Sequence, residues 1–588
     1  MGQLIHHLFK YKGRRIEMTS EERARITSID YADLIIEYNE NQALLEGFVD
    51  ATINYINFRY AIVHVPVSQI TRYTIPELGF GVIPTCFGLL SAASLEATGV
   101  FNLRSLPRFD LRGQGVLLGI LDTGIDYTNP IFQYEDNTTR IFSIWDQTID
   151  SEDRYPPNLY YGTEYTRDEI NMALDSENPY DIVPSRDENG HGTMMAGIAG
   201  GRDVPEEGFY GIASDAEFVI VKLKEAKPYL RDFFHIPKDA NCYQTNDIML
   251  GVKYILQVAR TLDRPVAICI GLGSSITSHD GLGPLSQYLA EIADIPGTAV
   301  ITAVGNEGNG KRHYFGVVDA TIGYDTVELN VAENEPGFSM ILWGNRPSIY
   351  SIDILSPGGE YVPRIPPRIN ENQDVSFIFE TTIINVDFQI IQTPAGDQMI
   401  LLRFQNPSPG IWRFRVFDVN EAAAGFHIWL PMEHFISPNT FFIRSDPYTT
   451  VLDPANTFSI VSVTAYNPVD DSLYLNAGRG YNRRGQVTPK VAAPGVNIIS
   501  PTLRQEFAPV TGTSAAAAHT AGIAAMMLEW GIVRGNYPGF DTAEVRNYMI
   551  RSARRNPDTV YPNPDWGYGI LDVFNVFDIL RSSIGNLR

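Results

Sequence analysis

The middle of the chain alternates short apolar runs with segments whose apolar residues recur at helical spacing. The runs lie at 116–121, 218–221, 266–270 and 299–304. The helical spacing is seen at Ile248, Val252 and Ile255, and again at Leu285, Leu289 and Ile292. Strands that are apolar throughout and alternate with amphipathic helices are typical of a parallel sheet with helices on both faces. The pattern therefore predicts an α/β fold.

A different pattern begins after residue 310. Apolar and polar positions alternate at 386–390 and 412–416, and clusters of Pro, Gly, Ser and Asn separate such runs at 356–359 and 406–410. A period of two with regular turn signals predicts antiparallel strands that bury one face. We therefore expect an inserted β-sandwich or jelly-roll domain at 311–445.

The start of the chain predicts a smaller unit. Apolar runs at 34–38 and 60–67, with a polar segment of helical character between them, indicate an α+β unit over 1–85. Its exit at 75–84 is rich in Pro and Gly and is expected to be extended and accessible. The parallel-sheet domain is then expected in two parts, 86–310 and 446–588, on either side of the insertion.

Composition narrows the classes of partner. The chain has 588 residues, and its 45 basic and 69 acidic side chains give a net charge of −24. This length exceeds what one core supports, in keeping with several domains. The negative charge argues against nucleic acid or an anionic membrane surface as the main partner. Three cysteines without paired or metal-type spacing indicate a fold that is not stapled by disulfides.

The first 25 residues contain no apolar core of the length that a secretion signal needs. No run in the sequence is expected to be long enough to cross a bilayer. Secretion through a leader peptide is therefore not expected.

Gly512, Thr513 and Ser514 precede a run of Ala, Met and Leu that predicts a buried helix reaching residue 530. A helix start carries unpaired N–H groups and a partial positive charge, which favour a serine oxygen that passes through an anionic state. Serine is also a common N-cap, so the motif by itself leaves a structural role open. A nucleophile needs a base, an orienting acid and an oxyanion donor from elsewhere in the chain.

Two residues fit the roles of acid and base. Asp122 follows the run at 116–121, where an acid lies at the carboxyl edge of a parallel sheet. Its Asp-Thr-Gly motif also occurs in aspartic proteases, but that chemistry needs a second acid of the same kind, and the sequence has no second motif. His191 has a glycine on each side at a predicted helix start, which leaves room for close backbone approach. A structural role is the alternative for any single histidine, and we expect it for His519.

Asn306 comes shortly after the last apolar run, within Ala-Val-Gly-Asn-Glu-Gly. Its side-chain amide can donate a hydrogen bond to a developing oxyanion, in addition to the backbone N–H of Ser514. An ordinary turn is the alternative interpretation of this motif.

Together, Asp122, His191, Asn306 and Ser514 occur in the chain order of the subtilases, and the motifs Asp-Thr-Gly, His-Gly-Thr and Gly-Thr-Ser are intact. The chain resembles this family over essentially its whole length outside the insertion. The resemblance implies a subtilisin-like serine endopeptidase, with Ser514 as nucleophile, His191 as general base and Asp122 as the acid that orients the imidazole. Asn306 would complete the oxyanion hole.

The same resemblance implies a substrate-binding cleft. The residues expected to pair with the substrate backbone are Gly271, Leu272, Gly273 and Ser274, and those of the facing S1 wall are Ala303, Val304 and Gly305. The unit at 1–85 would be a prodomain that the enzyme itself removes by a cut between about 78 and 92. Ala515 and Ala518 stand where the family usually has Met and Pro. No cofactor and no metal, calcium included, is expected to be required, and we expect a monomer.

An inserted jelly roll, a leaderless prodomain and few cysteines resemble the clostridial Csp germination proteases in particular. Members of that group activate the zymogen of a spore cortex hydrolase. The resemblance implies zymogen activation by limited proteolysis, a cleaved prodomain that stays bound, and an intracellular or spore-associated location. Two alternatives stay open: a general intracellular or peptide-processing subtilase of a clostridial bacterium, and a pseudoprotease that acts as a sensor.

Overall fold

In the computed structural model, which describes residues 18–93, 111–368, 371–390 and 396–585, the chain begins with a small antiparallel sheet. Its elements are α1 (Ser20–Thr27), β1 (Tyr31–Glu37), β2 (Thr52–Tyr55), β3 (Tyr60–Pro66) and α2 (Thr74–Leu78). β3 lies in the centre and pairs with β1 and β2. The two predicted strands are β1 and β3. The helical expectation for the segment between them was wrong at β2, because pairing with β3 satisfies its backbone there. The first 17 residues, which contribute to the leader prediction, lie outside the described residues.

The first part of the parallel-sheet domain follows. Its elements are β4 (Cys86–Leu89), β5 (Ser91–Ala93), β6 (Leu117–Asp122), β7 (Ile141–Asp146), β8 (Thr163–Thr166), α3 (Arg167–Leu174), α4 (Pro179–Ile182), α5 (His191–Gly200), β9 (Glu217–Lys222), α6 (Pro228–Phe234), β10 (Tyr243–Gln244), α7 (Thr245–Thr261), β11 (Val266–Ile270), β12 (Leu272–Gly273), α8 (Pro284–Ala293) and β13 (Thr298–Ala303). The four apolar runs predicted as strands are β6, β9, β11 and β13.

The inserted segment forms two antiparallel sheets. Its strands are β14 (His313–Gly316), β15 (Asp325–Val331), β16 (Gly337–Gly344), β17 (Tyr350–Leu355), β18 (Tyr361–Ile365), β19 (Glu371–Ser376), β20 (Ile383–Ile390), β21 (Gln398–Gln405), β22 (Gly410–Asp418), β23 (Phe426–Trp429) and β24 (Phe441–Phe442). One sheet has the order β14-β23-β16-β21-β20-β19 and the other β18-β17-β22-β15-β24. Their apolar residues share one core, to which β22 contributes Trp412, Phe414 and Val416 while Arg413 faces outward. The alternating pattern correctly predicted antiparallel strands, and β22 has one buried face as expected. The expectation of one buried face was wrong at β20, where Asp387 and Gln389 are also buried; the carboxylate of Asp387 accepts a hydrogen bond of 2.7 Å from Arg403, which satisfies it there.

The chain then returns to the parallel-sheet domain. The elements of this second part are β25 (Val461–Asn467), β26 (Ser472–Leu473), β27 (Val491–Pro494), β28 (Ile498–Pro501), β29 (Phe507–Gly512), α9 (Thr513–Leu528), α10 (Thr542–Ser552) and α11 (Val573–Gly585). β27, β25, β13, β11, β6, β9 and β7 form one parallel array, with β26 and β8 as antiparallel edges. The molecule therefore has the predicted α/β fold.

Alternate residues of the central strands face two layers of helices. Leu118 and Ile120 of β6 lie in the cluster that contains α5 and α9, whereas Leu117 and Leu121 lie in the cluster that contains α7 and α8. The helices α5 and α9 approach closely at Gly522, where an added Cβ would lie 2.5 Å from the carbonyl oxygen of Ala199. This close approach brings the start of α5 near the start of α9.

The stretch Thr513–Val533 is long and apolar enough to cross a membrane, so the expectation that no run has this length was wrong. Because 89% of its most apolar window is buried inside the protein, its hydrophobicity serves the core of the fold. The thiols of Cys86, Cys242 and Cys269 are all buried and free.

Candidate active site

Asp122 and His191 meet at the carboxyl edge of the parallel sheet, and Ser514 lies with Asn306 at the backbone carbonyl of Leu90. Asp122 ends β6, His191 begins α5 and Ser514 is the second residue of α9. The imidazole Nδ1 of His191 lies 2.7 Å from Asp122 Oδ1, and all three residues are buried. With the Nδ1 proton donated to Asp122, Nε2 is the nitrogen that can accept a proton. That Nε2 is buried and has no hydrogen-bond partner among the described residues.

Asp187 holds the loop of Asp122 against the helix of His191, and the sequence analysis did not find it. Its Oδ1 accepts a hydrogen bond of 2.8 Å from the hydroxyl of Thr123, whose oxygen accepts from the backbone N–H of Gly192 at 2.9 Å. Its Oδ2 accepts from both the backbone N–H and the hydroxyl of Thr193, at 2.9 and 2.7 Å. Asp187 lies three residues before Gly190, the N-cap of this helix, so the usual capping pattern does not point to it.

Glycines make the space for the imidazole. A Cβ on Gly271 would lie 3.0 Å from Cε1 of His191, and a Cβ on Gly192 would lie 2.1 Å from the carbonyl oxygen of Gly124. The His191 helix can therefore seat against the Asp122 loop only with glycine at position 192, and the predicted residue Gly271 leaves room for the ring.

Asn306, the predicted oxyanion donor, forms a hydrogen bond with a backbone carbonyl of its own chain. Asn306 donates a hydrogen bond of 2.6 Å from Nδ2 to the carbonyl oxygen of Leu90, and Ser514 Oγ donates to the same oxygen at 3.2 Å. The backbone N–H and the hydroxyl of Thr513 both donate to Asn306 Oδ1, at 3.2 and 3.1 Å, and so turn the amide nitrogen toward Leu90. The bond between Leu90 and Ser91 thus lies at the candidate nucleophile.

The residues on both sides of this bond run through the cleft as extended strands. Before the bond, β4 pairs with β12, so that Leu89 lies opposite Leu272 and Gly88 opposite Gly273. β4 also pairs with β10 on its other edge. After the bond, β5 pairs with β29, with Ser91 opposite Gly512. The predicted substrate strand therefore contacts a segment of the chain that lies as a substrate would.

The side chain of Leu90 lies in an apolar pocket. A Cβ on Gly273 would lie 3.1 Å from Cδ1 of Leu90 and 3.0 Å from Leu452, and a Cβ on Gly305 would lie 2.6 Å from Cγ of Leu452. Gly273 thus lies beside both Leu90 and Leu452, and Gly305 lies beside Leu452. Leu452 is held in place by a hydrogen bond of 2.9 Å from its backbone N–H to the carbonyl of Val304.

The other two predicted residues, Ser274 and Ala303, make no contact with Leu90 that the structure shows among the described residues. The backbone of Ser274 exchanges hydrogen bonds of 3.0 and 3.1 Å with Asp453, and Ala303 ends β13. Burial raises the pKa of Asp453 to about 7, because the charged carboxylate is poorly solvated there. Leu90 and Leu452 belong to the same buried apolar cluster.

The helix behind the candidate nucleophile begins normally despite its departures from the family pattern. α9 starts at Thr513 with Gly512 at its N-cap, and both Ala515 and Ala518 are buried within its first two turns. Within the described ranges, no group of three or more His, Cys, Asp or Glu side chains is placed to hold a metal ion. That no metal is required stays a prediction.

The sequence profile of the peptidase S8, subtilase family, matches residues 113–331 and 444–570. The chain belongs to the subtilase family. The unmatched stretch between the two parts lies in the two antiparallel sheets. The profile therefore matches mainly the parallel-sheet domain, which contains Asp122, His191 and Ser514.

Individual subtilases and solved structures resemble the chain to different extents. The structure of the Clostridium perfringens CspB protease superposes with a TM-score of 0.72 at 28% identity, covering 82% of this chain and 96% of that one. Subtilisin-like protease SBT3.1 of Arabidopsis thaliana is 21% identical over 83% of this chain, and C5a peptidase of Streptococcus pyogenes is 20% identical over 71%. The chain spans 63% of the length of SBT3.1 and 34% of the length of the C5a peptidase.

Proposed function

We propose that this subtilase is a serine endopeptidase that cuts its own chain between Leu90 and Ser91 and then acts on a protein substrate by limited proteolysis. The observation that carries the proposal is the Leu90 carbonyl oxygen, which accepts hydrogen bonds from Asn306 and Ser514. The cut lies inside the range predicted from the sequence. With this cut the prodomain would end at residue 90, five residues after the boundary expected from the sequence.

The geometry supports acyl transfer by the Ser–His–Asp mechanism. Ser514 Oγ attacks the Leu90 carbonyl carbon while Nε2 of His191 takes its proton. Asn306 stabilises the oxyanion that forms on the Leu90 oxygen. His191 then gives the proton to the amine of Ser91, which leaves, and water releases Leu90 from the acyl-enzyme. Asp122 stabilises the imidazolium in both steps.

After the cut, the prodomain is expected to stay bound through a buried ionic cluster. The carboxylate of Asp33 on β1 accepts hydrogen bonds from Lys227 at 2.6 Å, Gln244 at 2.7 Å and Asn246 at 3.2 Å, all on the catalytic domain. The imidazole of His64, on the neighbouring strand β3, lies 2.7 Å from the same carboxylate. Separating the two parts would leave the Lys227 ammonium without its charged partner.

This cluster predicts that the prodomain is held less tightly as the pH falls. Burial lowers the pKa of His64, so the imidazole is neutral in the complex, beside the Lys227 ammonium. Burial alone would raise the pKa of Asp33, but Lys227 and His64 hold it well below its ordinary value. A released prodomain exposes His64, which takes up a proton below about pH 6.5. The complex is thus expected to be tightest above that pH and to weaken by at most about tenfold between pH 7.5 and 5.5.

Gel filtration of the processed chain at each pH would measure the bound fraction, with His64→Gln as the control that removes the titrating group. An equal loss of prodomain from the His64→Gln chain would show that another group is responsible.

The likeness to CspB supports a role in activating a protein zymogen, with a spore cortex hydrolase precursor as the proposed substrate and a spore-associated location. A general peptide-processing subtilase would use the same site on other substrates. A pseudoprotease sensor would keep the fold without cleaving its own chain. Incubating the processed chain with purified cortex hydrolase precursor, and with casein as a general substrate, distinguishes the first two: one defined cut in the precursor is expected, with casein left largely intact.

The self-cleavage proposal is tested by sequencing the N-terminus of the large fragment after expression. We expect it to begin at Ser91, and the same preparation should be labelled at Ser514 by a fluorophosphonate. A fragment that begins elsewhere would contradict the assigned junction. An unlabelled and uncut chain would favour the pseudoprotease.

A further inference from the structure

The inserted β domain reaches the cleft through the loop that follows β23. In this loop Met432 and Phe435 lie over Gly88, the third residue before the proposed cut. A Cβ on Gly88 would lie 3.0 Å from both Cε and Sδ of Met432 and 3.3 Å from Cζ of Phe435. A glycine fits this space without strain, whereas a Cβ would require Met432 and Phe435 to shift by a few tenths of an ångström and a branched side chain would require more.

The loop is fixed to the catalytic domain next to the residues that bind the substrate. Ser275, which follows the substrate strand, donates from Oγ to the carbonyl of Leu430 at 2.9 Å. Glu307, which follows the oxyanion residue Asn306, accepts from the backbone N–H of Glu433 at 2.9 Å. The carboxylate of Glu307 is itself held by Arg312 at 2.7 Å. The loop therefore has little freedom to move away from the cleft.

The backbone at Gly88 is equally constrained. It pairs with Gly273, and the strand on which it lies is bound on both edges, by β12 and β10. A side chain at this position keeps the direction that the strand gives it, because rotation would break the pairing. It would point at Met432 and Phe435.

We propose that Met432 and Phe435 close the S3 subsite, so that this protease selects glycine at the third position before the cut. The proposal rests on the proposed function, since it takes the bond after Leu90 as the one cleaved. The expected substrate class is a protein segment with glycine at P3 and an apolar residue at P1, as in Phe-Gly-Leu-Leu before Ser. The inserted domain would thus contribute directly to substrate choice.

The first test compares two equal substitutions in the full chain. Gly88→Val places a branched side chain against Met432, and self-cleavage is expected to slow about tenfold to a hundredfold. Gly81→Val is the matched control, because a Cβ on Gly81 has nothing within 4 Å in the described structure. Its cleavage rate should equal that of the unaltered chain. The rates come from the appearance of the large fragment on gels after synthesis in a cell-free system.

The second test removes the Met432 side chain that the valine at position 88 is expected to contact. Met432→Ala combined with Gly88→Val should recover most of the lost rate, whereas a chain impaired by misfolding would gain nothing from a second cavity-forming change. Processed enzyme would also be given two peptides, Phe-Gly-Leu-Leu-Ser and Phe-Val-Leu-Leu-Ser, each with a fluorogenic pair. A kcat/KM at least tenfold higher for the glycine peptide is expected, and this ratio should fall in Met432→Ala.

The outcomes separate the two proposals. If the unaltered chain and Gly81→Val do not cut themselves, the proposed function is wrong. If both cut, and Gly88→Val cuts as fast as they do or the two peptides are cleaved equally, the proposed function stands and the closed S3 subsite is wrong.

Discussion

A chain with Ser514→Ala is expected to stay a single full-length band of 588 residues, while the unaltered chain gives a prodomain and a large fragment. Removing the nucleophile of a subtilisin-type site costs about 10⁶-fold in kcat, because His191 and Asp122 act only through the oxygen that Ser514 supplies. The change should leave the fold intact, since the one hydrogen bond that Ser514 Oγ donates goes to Leu90, and alanine continues the run that follows. The measurement is gel electrophoresis over several hours, together with thermal unfolding.

Ser582→Ala is a suitable control, because this serine lies exposed on α11 and far along the chain from the cleft. It should be processed at the normal rate. Complete processing of Ser514→Ala would show that another protease makes the cut, or that another residue of this chain attacks Leu90. The intact Ser514→Ala chain would also supply a homogeneous precursor for work on the cleft.

The central strands were predictable where the chain is apolar without interruption. β6 and β11 are buried on both faces, and their sequences contain hardly a polar residue. β7 was not identified as a strand because Ser143 interrupts its apolar run. In the structure the Ser143 hydroxyl accepts a hydrogen bond of 2.7 Å from Tyr254, so the polar atom is satisfied inside the core. A pattern of residue types does not reveal such a partner 111 positions away.

The candidate site likewise contains some residues that the sequence predicts and others that it does not. Asp122, His191, Asn306 and Ser514 carry short motifs that depend on local backbone needs, such as a glycine where two segments touch, so they could be chosen as candidates from the sequence. Leu90, which occupies the site, is 424 positions from Ser514 and has no motif of its own. Its place depends on how the N-terminal unit docks.

The loop of Met432 and Phe435 was unpredictable for a related reason. Its apolar residues have the same pattern as ordinary core residues of a β domain, and both are indeed buried. What makes them part of the cleft is the anchoring of the loop by Ser275 and Glu307, which brings the inserted domain over Gly88. Such contacts between domains depend on the packed structure as a whole.

Replacing Asp122 with asparagine is expected to slow self-cleavage about 10⁴-fold while leaving the fold in place. Asparagine has the same shape, and an oxygen in the place of Oδ1, the atom that also faces His191, can still accept the 2.8 Å hydrogen bond from the backbone N–H of Thr123. This bond is lost if the amide nitrogen takes that place. If its oxygen keeps facing His191, the imidazolium formed during attack loses its negative partner in a buried site. If its amide turns toward His191, it donates to Nδ1 and forces the proton onto Nε2, the nitrogen that must accept from Ser514. The first orientation weakens the base, and the second removes it.

The rate of the Asp122→Asn chain would be followed by fragment formation over days and by the rate of fluorophosphonate labelling at Ser514, which depends on the same base. Asp136→Asn provides the matched control, since Asp136 lies in an exposed turn where its carboxylate accepts from Thr138. The control should be labelled and cut at the normal rate. A normal rate for Asp122→Asn would mean that His191 does not need this carboxylate, and the assignment of Asp122 would then be wrong.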